Sequence, residues 1–549
     1  MAVHLDHDST GAHHAKRPRT VTEVVALIAI FAVFFIVTLS LIPATPDDLV
    51  TDFCPQRPAI DPTLDHKFAP SSIFLDGEYP AKSLQLLRGA IEIPTVVYDS
   101  MTSLDDPRFE PFLELHRYLR EKFPLCSEYM EPVSRYGLLV KVGPTHGPGT
   151  LILGHQDVVP AEQQHWKHPP FEGYFDGEFI YGRGATDGKN VLVATLEALE
   201  ALLSQGFTPK SPLVLAFGFD KELGTKVGAK AIADHIYTTY GTNSFKVVLD
   251  EGYGLQKLYG STVGDVAVSE KGTLNVQIDL HTPGGHSSAP PKHTGIGIMA
   301  KLIRLLERHS HEELMPDDNP TLQLFKCLAE HSEGMSKESR REILDPTSRR
   351  QRLKLIKDGP FADSLRTSQA VDRIEGGTKI NALPELVTAM INYHISVDSS
   401  AASVIDRVEH FVLQIAERFD LEVYSGQNHL KAGMYGNVSI STSNLHNPSS
   451  VSPYYGTVFD KIAGTIRHVF EQIADREAQV SSPVIVAPSI LTSSTDTRFY
   501  SDLSRLIYRF TPSYAEDMVN RHSSDERLRL RSHLLAAAWY YEFILNNTA

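Results

Sequence analysis

Three short apolar runs, each followed by histidine or carboxylate residues, constrain the fold of this chain more than any other feature. The runs cover residues 150–153, 213–219 and 245–249, and they lead into GHQD, DKE and DE. Amphipathic helical stretches separate them, as in an α/β domain with a central, mostly parallel sheet. Parallel strands bring their carboxyl ends to one edge, where open α/β sheets bind ligands. We therefore expect imidazole and carboxylate groups to converge there, beside the GRGATD segment that precedes a helix at 191–203.

Composition excludes several classes of protein. The net charge of −15 argues against wholesale nucleic-acid binding, and 42% hydrophobic with 22% charged residues indicates an ordinary globular protein. The three cysteines lack CxxC spacing, so neither a zinc finger nor a dithiol redox site is encoded, whereas one disulfide plus a free thiol fits. The chain also lacks a GxSxG elbow and a Walker loop. A hydrolase of this sequence therefore needs another chemistry, such as metal-ion catalysis.

Residues 24–42 form an uncharged apolar run about as long as a helix that crosses the ~30 Å hydrocarbon core of a bilayer. Lysine and arginine precede the run and aspartate follows it. The positive-inside rule then predicts a single-pass type II protein whose catalytic part lies in the vacuolar or secretory lumen. A cleaved signal peptide ending near Ala44 is the alternative. Sequons at Asn437 and Asn546 fit a secretory glycoprotein.

The order of predicted strands and helices suggests one catalytic domain interrupted by a small α+β domain. The predicted segments are a cytosolic tail at 1–20, a transmembrane anchor at 21–43, a linker at 44–80, catalytic parts at 81–269 and 426–549, and an inserted lid or dimerisation-type domain at 270–425.

Nine blocks in a fixed order carry a resemblance to a known family. The blocks are HQDVVP, WKHPPFEG, GRGATDGK, FDKELGTKVGA, LDEG, GGHSSAPP, TKINALPE, TDTRFY and RHSSDERL. Together they resemble the carboxypeptidase S-like branch of the di-zinc aminoacylase and carboxypeptidase superfamily, over about residues 80–545. The resemblance implies a zinc-peptidase-like α/β catalytic domain with a ferredoxin-like lid.

The same resemblance implies two zinc ions per chain. His155 and Asp250 would bind one ion, Glu222 and His522 would bind the other, and Asp187 would bridge them. Imidazole nitrogen and carboxylate oxygen suit zinc, and two ions about 3.5–4 Å apart can activate one shared water.

Four further positions match residues that assist the metal or handle the substrate. Asp157 resembles the carboxylate that orients the ligating imidazole. His286 resembles a lid histidine that stabilises the oxyanion, and Asn381 resembles a lid residue that contacts substrate. Arg498, in TDTRFY, is suited to holding a free carboxylate.

Two positions depart from the family pattern. Lys221 stands where the family has the glutamate that acts as general base, and His394 stands where it usually has an arginine that binds the substrate carboxylate. The leading hypothesis is thus a zinc carboxypeptidase or amidase, acting on peptides or N-acyl amino acids with a free carboxylate and impaired by Lys221. The alternative is a catalytically inactive zinc-binding pseudoenzyme with a binding or regulatory role. A third hypothesis, a membrane-tethered structural ectodomain, leaves the predicted ligand set unexplained. The oligomeric state stays open.

Overall fold

A computed structural model describes residues 52–65, 67–224, 227–474 and 483–548. Residues 54–549 form one compact unit. The predicted anchor at 21–43 lies outside the described residues. Among those that are described, no helix combines the length and apolar character needed to cross a membrane.

The strands and helices below are numbered in chain order over the described residues. The strands are β1 (Met130–Val133), β2 (Gly137–Val142), β3 (Gly149–His155), β4 (Tyr174–Phe175), β5 (Phe179–Tyr181), β6 (Leu213–Gly218), β7 (Phe245–Asp250), β8 (Leu255–Leu258), β9 (Ser261–Glu270), β10 (Gly272–His281), β11 (Gly285–His286), β12 (Ser368–Gly376), β13 (Ala382–Leu383), β14 (Leu386–Ile395), β15 (Leu421–Ser425), β16 (Asn428–Lys431), β17 (Gly436–His446), β18 (Val484–Leu491), β19 (Ile507–Arg509), β20 (Met518–Val519) and β21 (Arg527–Arg529). The α-helices are α1 (Tyr79–Ile91), α2 (Glu110–Lys122), α3 (Pro124–Ser127), α4 (Lys189–Ser204), α5 (Gly228–Tyr240), α6 (Gly295–Arg308), α7 (Pro320–His331), α8 (Lys337–Leu344), α9 (Arg349–Lys357), α10 (Ala401–Phe419), α11 (Thr457–Arg467) and α12 (Leu530–Thr548).

A nine-stranded mixed sheet forms the centre of the described structure, in the order β1-β2-β6-β3-β7-β19-β9-β18 with β8 beside β9. Its middle strands β6, β3, β7 and β19 are parallel, as the sequence predicts. Every residue of β3 and β6 is buried, which explains their continuous apolar runs. Helices α4 and α12 pack on one face, and α5 packs on the other.

A second, six-stranded sheet follows the order β12-β14-β10-β17-β15-β16, and α6 and α10 cover one face of it. This is the α+β arrangement expected of the inserted domain. The sheet extends to His446, beyond the predicted boundary at 425, because β17 pairs with β10. The polar sequence of β17 does not by itself predict this long-range pairing.

The helical stretch α7–α9 packs on the nine-stranded sheet, although the sequence assigns it to the lid. Leu322 and Phe325 of α7 share a core cluster with Val263 of β9 and with Ile485 and Ala487 of β18. Burial of the apolar face of α7 against these strands decides the placement, whereas the sequence order placed this charge-rich stretch within the inserted domain at 270–425.

The described part of the predicted linker also packs on the catalytic unit. Cys54 forms a disulfide with Cys327 of α7, and Cys126 is a buried free thiol. Phe68 and Phe74 lie in the main core. Residues from 54 onward therefore belong to the folded unit.

Candidate metal and active site

His155 is the last residue of β3, and its imidazole is buried at the carboxyl edge of the central sheet. Nδ1 lies 2.9 Å from the Asp157 carbonyl oxygen and 3.3 Å from Asp157 Oδ1. Asp157 Oδ2 also accepts a hydrogen bond from the Glu222 amide at 2.7 Å. Because Asp157 engages Nδ1, the Nε2 atom of His155 points to the other site residues.

Asp187 lies in the glycine-rich segment just before α4, and its two oxygens face different imidazoles. Oδ1 is 2.9 Å from His155 Nε2, and Oδ2 is 3.1 Å from His522 Nε2. Arg521 Nε lies 3.6 Å from the same Oδ2. A buried carboxylate between two imidazoles has the geometry of a ligand that two metal ions share.

Glu526 fixes the backbone that carries Asp187. Its buried carboxylate accepts hydrogen bonds from the amides of Gly184, Thr186 and Asp187 and from the Thr186 hydroxyl, and it pairs with Arg183. The carboxylate thus satisfies donors of a segment that belongs to no helix or strand.

Lys221 and Glu222 lie in a short 3-10 turn, Lys221–Leu223, that follows β6. Glu222 Oε2 is 3.4 Å from His522 Nε2. Lys221 Nζ points into the site, 3.1 Å from both His155 Nε2 and Asp187 Oδ1 and 3.3 Å from Glu222 Oε1. It also pairs with Glu251. The turn therefore supplies both a carboxylate and an ammonium.

His522 approaches the cluster from the loop between β20 and β21. Its backbone is left-handed (φ 57°), which is uncommon for a residue other than glycine and concentrates at functional sites. Hydrogen bonds that His522 donates to the Asp187 and Glu222 carboxylates raise its pKa to about 9.

Glu251, and not Asp250, faces His155 in this structure. Glu251 Oε2 lies 3.6 Å from His155 Nε2, whereas Asp250 Oδ1 accepts a hydrogen bond from the Glu251 amide at 2.9 Å. Successive residues at a strand end point to opposite sides, so only one of the two carboxylates faces the imidazole. These contacts do not test the prediction that Asp250 and His155 bind the same ion, and it stays a prediction.

The donor set fits a divalent cation. His155, Asp187 and Glu222 have ligand atoms within 4.8 Å of one another, and His522 Nε2 adjoins the same two carboxylates. Asp250 Oδ2 is buried and makes no hydrogen bond, and the buried Glu222 Oε1 lies 3.3 Å from the Lys221 ammonium. Buried carboxylate oxygens without donors are costly unless a cation satisfies them. Imidazole and carboxylate donors together suit zinc.

Lys221 dominates the electrostatics of the cluster. Burial opposes its charge, but Asp187, Glu251 and Glu222 outweigh that effect and raise its pKa well above the ordinary value. Burial likewise opposes the charge of Glu251, yet Lys221 lowers the pKa of Glu251 to about 2. Near Asp250, burial raises the pKa of Asp496 well above its usual range, and the charge of Asp250 adds to this rise.

The structure brings His286 and Asn381 together on the inserted domain. Strands β11 and β13 pair His286 with Ala382, and the Ser287 amide donates to the Asn381 carbonyl at 3.2 Å. His286 and Asn381 are both exposed. Within the described ranges, no hydrogen bond or ion pair joins either of them to the carboxylate cluster, so their substrate roles stay predictions.

Arg498 lies near the turn that carries Lys221, and His394 lies in the second sheet. Arg498 Nη2 is 3.5 Å from the Gly224 carbonyl oxygen, and its guanidinium stacks over Phe499. His394 is half-buried in β14 with a buried Nδ1 that makes no hydrogen bond. Burial and the nearby Lys271 lower its pKa. Arg498 thus contacts the residue that follows the Lys221 turn, and the substrate-binding roles of Arg498 and His394 stay predictions.

Three charged residues of the site were missed by sequence reasoning. Glu251 and Glu526 lie inside recognised blocks, LDEG and RHSSDERL, and Arg521 precedes the predicted ligand His522. Each lies within four residues of a predicted ligand. An ionisable residue close to a predicted ligand in the same motif block was therefore the signal that could have identified them.

Comparisons with known proteins identify the family of this chain. The model of peptidase family M20/M25/M40 matches residues 151–546. Carboxypeptidase S of Saccharomyces cerevisiae is 35% identical, with 96% of each chain covered. The N-fatty-acyl-amino acid synthase/hydrolase of Mus musculus is 29% identical and covers 84% of this chain and 87% of its own.

Solved structures share the fold at low identity. An M20 family metallo-carboxypeptidase from Sulfolobus solfataricus superimposes with a TM-score of 0.58 at 18% identity, over 84% of this chain and 98% of its own. A Bacillus subtilis protein described as a dinuclear metal-binding M20 peptidase gives a TM-score of 0.51 at 12% identity, over 86% and 98%. The resemblance drawn from the nine motif blocks is confirmed by the family match and by the relatives. On this evidence the chain belongs to peptidase family M20/M25/M40.

Proposed function

We propose that this chain is a metal-dependent hydrolase that cleaves the amide bond next to a free carboxylate, in peptides or in N-acyl amino acids. The observation that carries the proposal is the convergence of His155, Asp187, Glu222 and His522 at the carboxyl edge of the central sheet. Such a cluster of imidazoles and buried carboxylates suits a Lewis-acid metal better than any other hydrolytic device.

The named relatives support a hydrolase and its class of substrate. One relative is called a carboxypeptidase and another an N-fatty-acyl-amino acid synthase/hydrolase, at substantial coverage of both chains. Substrates of both kinds are amides that carry a free carboxylate. These similarities favour an active enzyme over the catalytically inactive pseudoenzyme that the substitutions at Lys221 and His394 suggested.

We propose zinc as the metal, held in a site with donors for two ions around Asp187. When bound, a divalent ion there polarises the scissile carbonyl and activates a water nucleophile. The protein's own residues orient the metal-binding groups. Asp157 fixes the tautomer of His155, and Glu526 fixes the segment that carries Asp187. Arg498 adjoins the Lys221 turn at a position suited to a substrate carboxylate.

The test uses the purified full-length chain with C-terminally free dipeptides and N-acyl amino acids. We expect turnover that a chelator abolishes and added zinc restores. C-terminally amidated versions of the same peptides serve as matched controls and should turn over far more slowly. Absence of turnover for every free-carboxylate substrate, or turnover that survives metal removal, would refute the proposal.

We also propose that the catalytic unit lies in a vacuolar or secretory lumen behind a single N-terminal anchor. The uncharged run at 24–42 with its flanking charges supports the anchor, and the Cys54–Cys327 disulfide supports an oxidising compartment. Glycosylation stays a prediction, and Asn546 Nδ2 is already used in a hydrogen bond to Thr465. Protease protection in sealed vesicles tests the topology, and digestion of the catalytic unit from the cytosolic side would contradict it.

A further inference from the structure

The ammonium of Lys221 lies inside the ligand shell of one of the two metal positions. Its Nζ is 3.1 Å from His155 Nε2, 3.1 Å from Asp187 Oδ1, and in contact with Glu251. These three groups surround one half of the site, which we call the His155 side. The Lys221 side chain is only 17% exposed, so solvent does not screen these contacts fully.

A metal ion and this ammonium cannot share the His155 side. Zinc lies about 2.0–2.2 Å from imidazole and carboxylate donors. An ion held at that distance from His155 Nε2, Asp187 Oδ1 and Glu251 would fall roughly 1–2 Å from the present position of Nζ, well inside van der Waals contact. Binding there requires the Lys221 side chain to leave, and two positive groups would then compete for the same carboxylates.

The other half of the site, the His522 side, keeps open geometry for a metal. His522 Nε2 is 3.1 Å from Asp187 Oδ2 and 3.4 Å from Glu222 Oε2. Donors at about 2.0–2.1 Å from a tetrahedral ion are separated by about 3.3 Å, which matches both distances. Lys221 contacts Asp187 through Oδ1 and Glu222 through Oε1, so it leaves Oδ2 and Oε2 to this side, where Arg521 Nε lies 3.6 Å from Oδ2.

We propose that Lys221 takes the place of one metal ion, so that the chain holds a single divalent ion on Asp187, Glu222 and His522. The inference rests on the proposed function, which supplies the metal-dependent site, and it concerns the number of ions. The ammonium neutralises the carboxylates of the His155 side as a second dication would, but it offers no coordination position to a water or a carbonyl oxygen. The chain is then a single-ion variant of a two-ion site.

The experiment counts bound metal after equilibrium dialysis of the purified full-length chain against zinc, with elemental analysis and protein quantification. We expect one ion per chain for the wild type and two for Lys221→Ala, which vacates the His155 side. Lys221→Arg keeps a cation at the position and should hold one ion. Cobalt substitution gives a second readout, because its absorption and its magnetic coupling distinguish a single ion from a pair.

Arg521→Gln is the matched control. Arg521 Nε lies 3.6 Å from Asp187 Oδ2, so this change also removes a positive charge next to the shared carboxylate without vacating the His155 side. We expect Arg521→Gln to hold one ion. A rise to two ions would mean that net charge, and not occupancy by Lys221, sets the count, and it would overturn the inference.

The remaining outcomes separate this inference from the proposed function. Two ions of similar affinity in the wild type would overturn the single-ion count and leave the hydrolase proposal intact. One ion in both the wild type and a folded Lys221→Ala would show that Lys221 does not exclude the second ion. No metal in any variant would overturn the proposed function itself. Near-ultraviolet circular dichroism establishes that each variant is folded. If Lys221→Ala does not fold, Lys221→Ser, which also vacates the His155 side and should hold two ions, keeps the test decisive.

Discussion

The family resemblance predicts that Lys221 stands where a glutamate would accept a proton, and an ammonium at this position can only donate one. A lysine ammonium lacks the lone pair that a general base needs, and its carboxylate neighbours keep it protonated. We expect Lys221→Glu to raise kcat/KM on a C-terminally free substrate at least tenfold at saturating zinc, because general-base catalysis is typically worth ~10²–10⁴ in rate.

Lys221→Gln is the control for the base, since it removes the charge without creating a proton acceptor. Its gain should be much smaller than that of Lys221→Glu. Ordinary enzyme rates in the wild type, together with no gain in Lys221→Glu, would mean that another residue accepts the proton.

Asp187 is the residue whose loss should damage the site most. It contacts His155, His522 and Lys221 through its two oxygens. We expect Asp187→Ala to lose bound metal and turnover together, as measured by elemental analysis and by the dipeptide assay. Asp234→Ala removes an exposed carboxylate of α5 and should change neither quantity. Retained metal in Asp187→Ala would remove this carboxylate from the ligand set.

At the residue scale, motif blocks predicted the imidazoles and most carboxylates of the cluster, because each stands at a strand end or in a short segment beside one. They did not predict Glu251. Asp250 and Glu251 are consecutive acids, and only the direction of each side chain at the end of β7 decides which one faces His155. The contacts of Lys221 Nζ with His155, Asp187 and Glu251 could not be predicted either, because they join residues from separate segments of the chain.

Among the elements, the 182–188 segment depends on Glu526. We expect Glu526→Ala to lower the free energy of unfolding by about 3–5 kcal/mol, because it leaves the buried Arg183 without its carboxylate and several backbone amides without an acceptor. Denaturant titration of the folded chain measures the change. Glu92→Ala, which removes an exposed pair with Arg88, should cost about 1 kcal/mol or less. Equal costs for the two variants would contradict the anchoring role.

Protonation of Asp265, a buried residue of strand β9, should make the stability of the fold depend on pH. Burial raises the pKa of Asp265 to about 7. A raised folded-state pKa contributes stability that is present below the unfolded value of about 4 and is lost as pH rises through about 7. We therefore expect the melting temperature of Asp265→Asn, relative to the wild type, to rise from pH 5 to pH 8. A difference that stays constant with pH would contradict this assignment.

Local sequence pattern predicted most elements near the site but not their long-range partners. The runs at 150–153, 213–219 and 245–249 became β3, β6 and β7, and the helix at 191–203 became α4. The pairing of β17 with β10 was not predictable, because it joins segments more than 150 residues apart. Periodicity reports burial along one element and not which element covers it.

For the molecule as a whole, the Cys54–Cys327 disulfide fastens the start of the described chain to α7 across a sequence separation of 273 residues. We expect the Cys54→Ser/Cys327→Ser double variant to lose about 2–5 kcal/mol of stability. Reductant should destabilise the wild type and leave the double variant unchanged. Under denaturing conditions without reductant, thiol titration should find one reactive group, Cys126. Three reactive thiols would contradict the disulfide.

The central claim is that the carboxyl edge of the nine-stranded sheet forms a metal centre in which Lys221 fills one position. An anomalous difference map at the zinc edge, from crystals of the zinc-loaded protein, tests it most directly. The account predicts one peak within coordination distance of Asp187 Oδ2, Glu222 Oε2 and His522 Nε2, with the Lys221 side chain on the His155 side. A pair of peaks in the wild type would contradict the role of Lys221, and a cluster without any peak would contradict the metal centre.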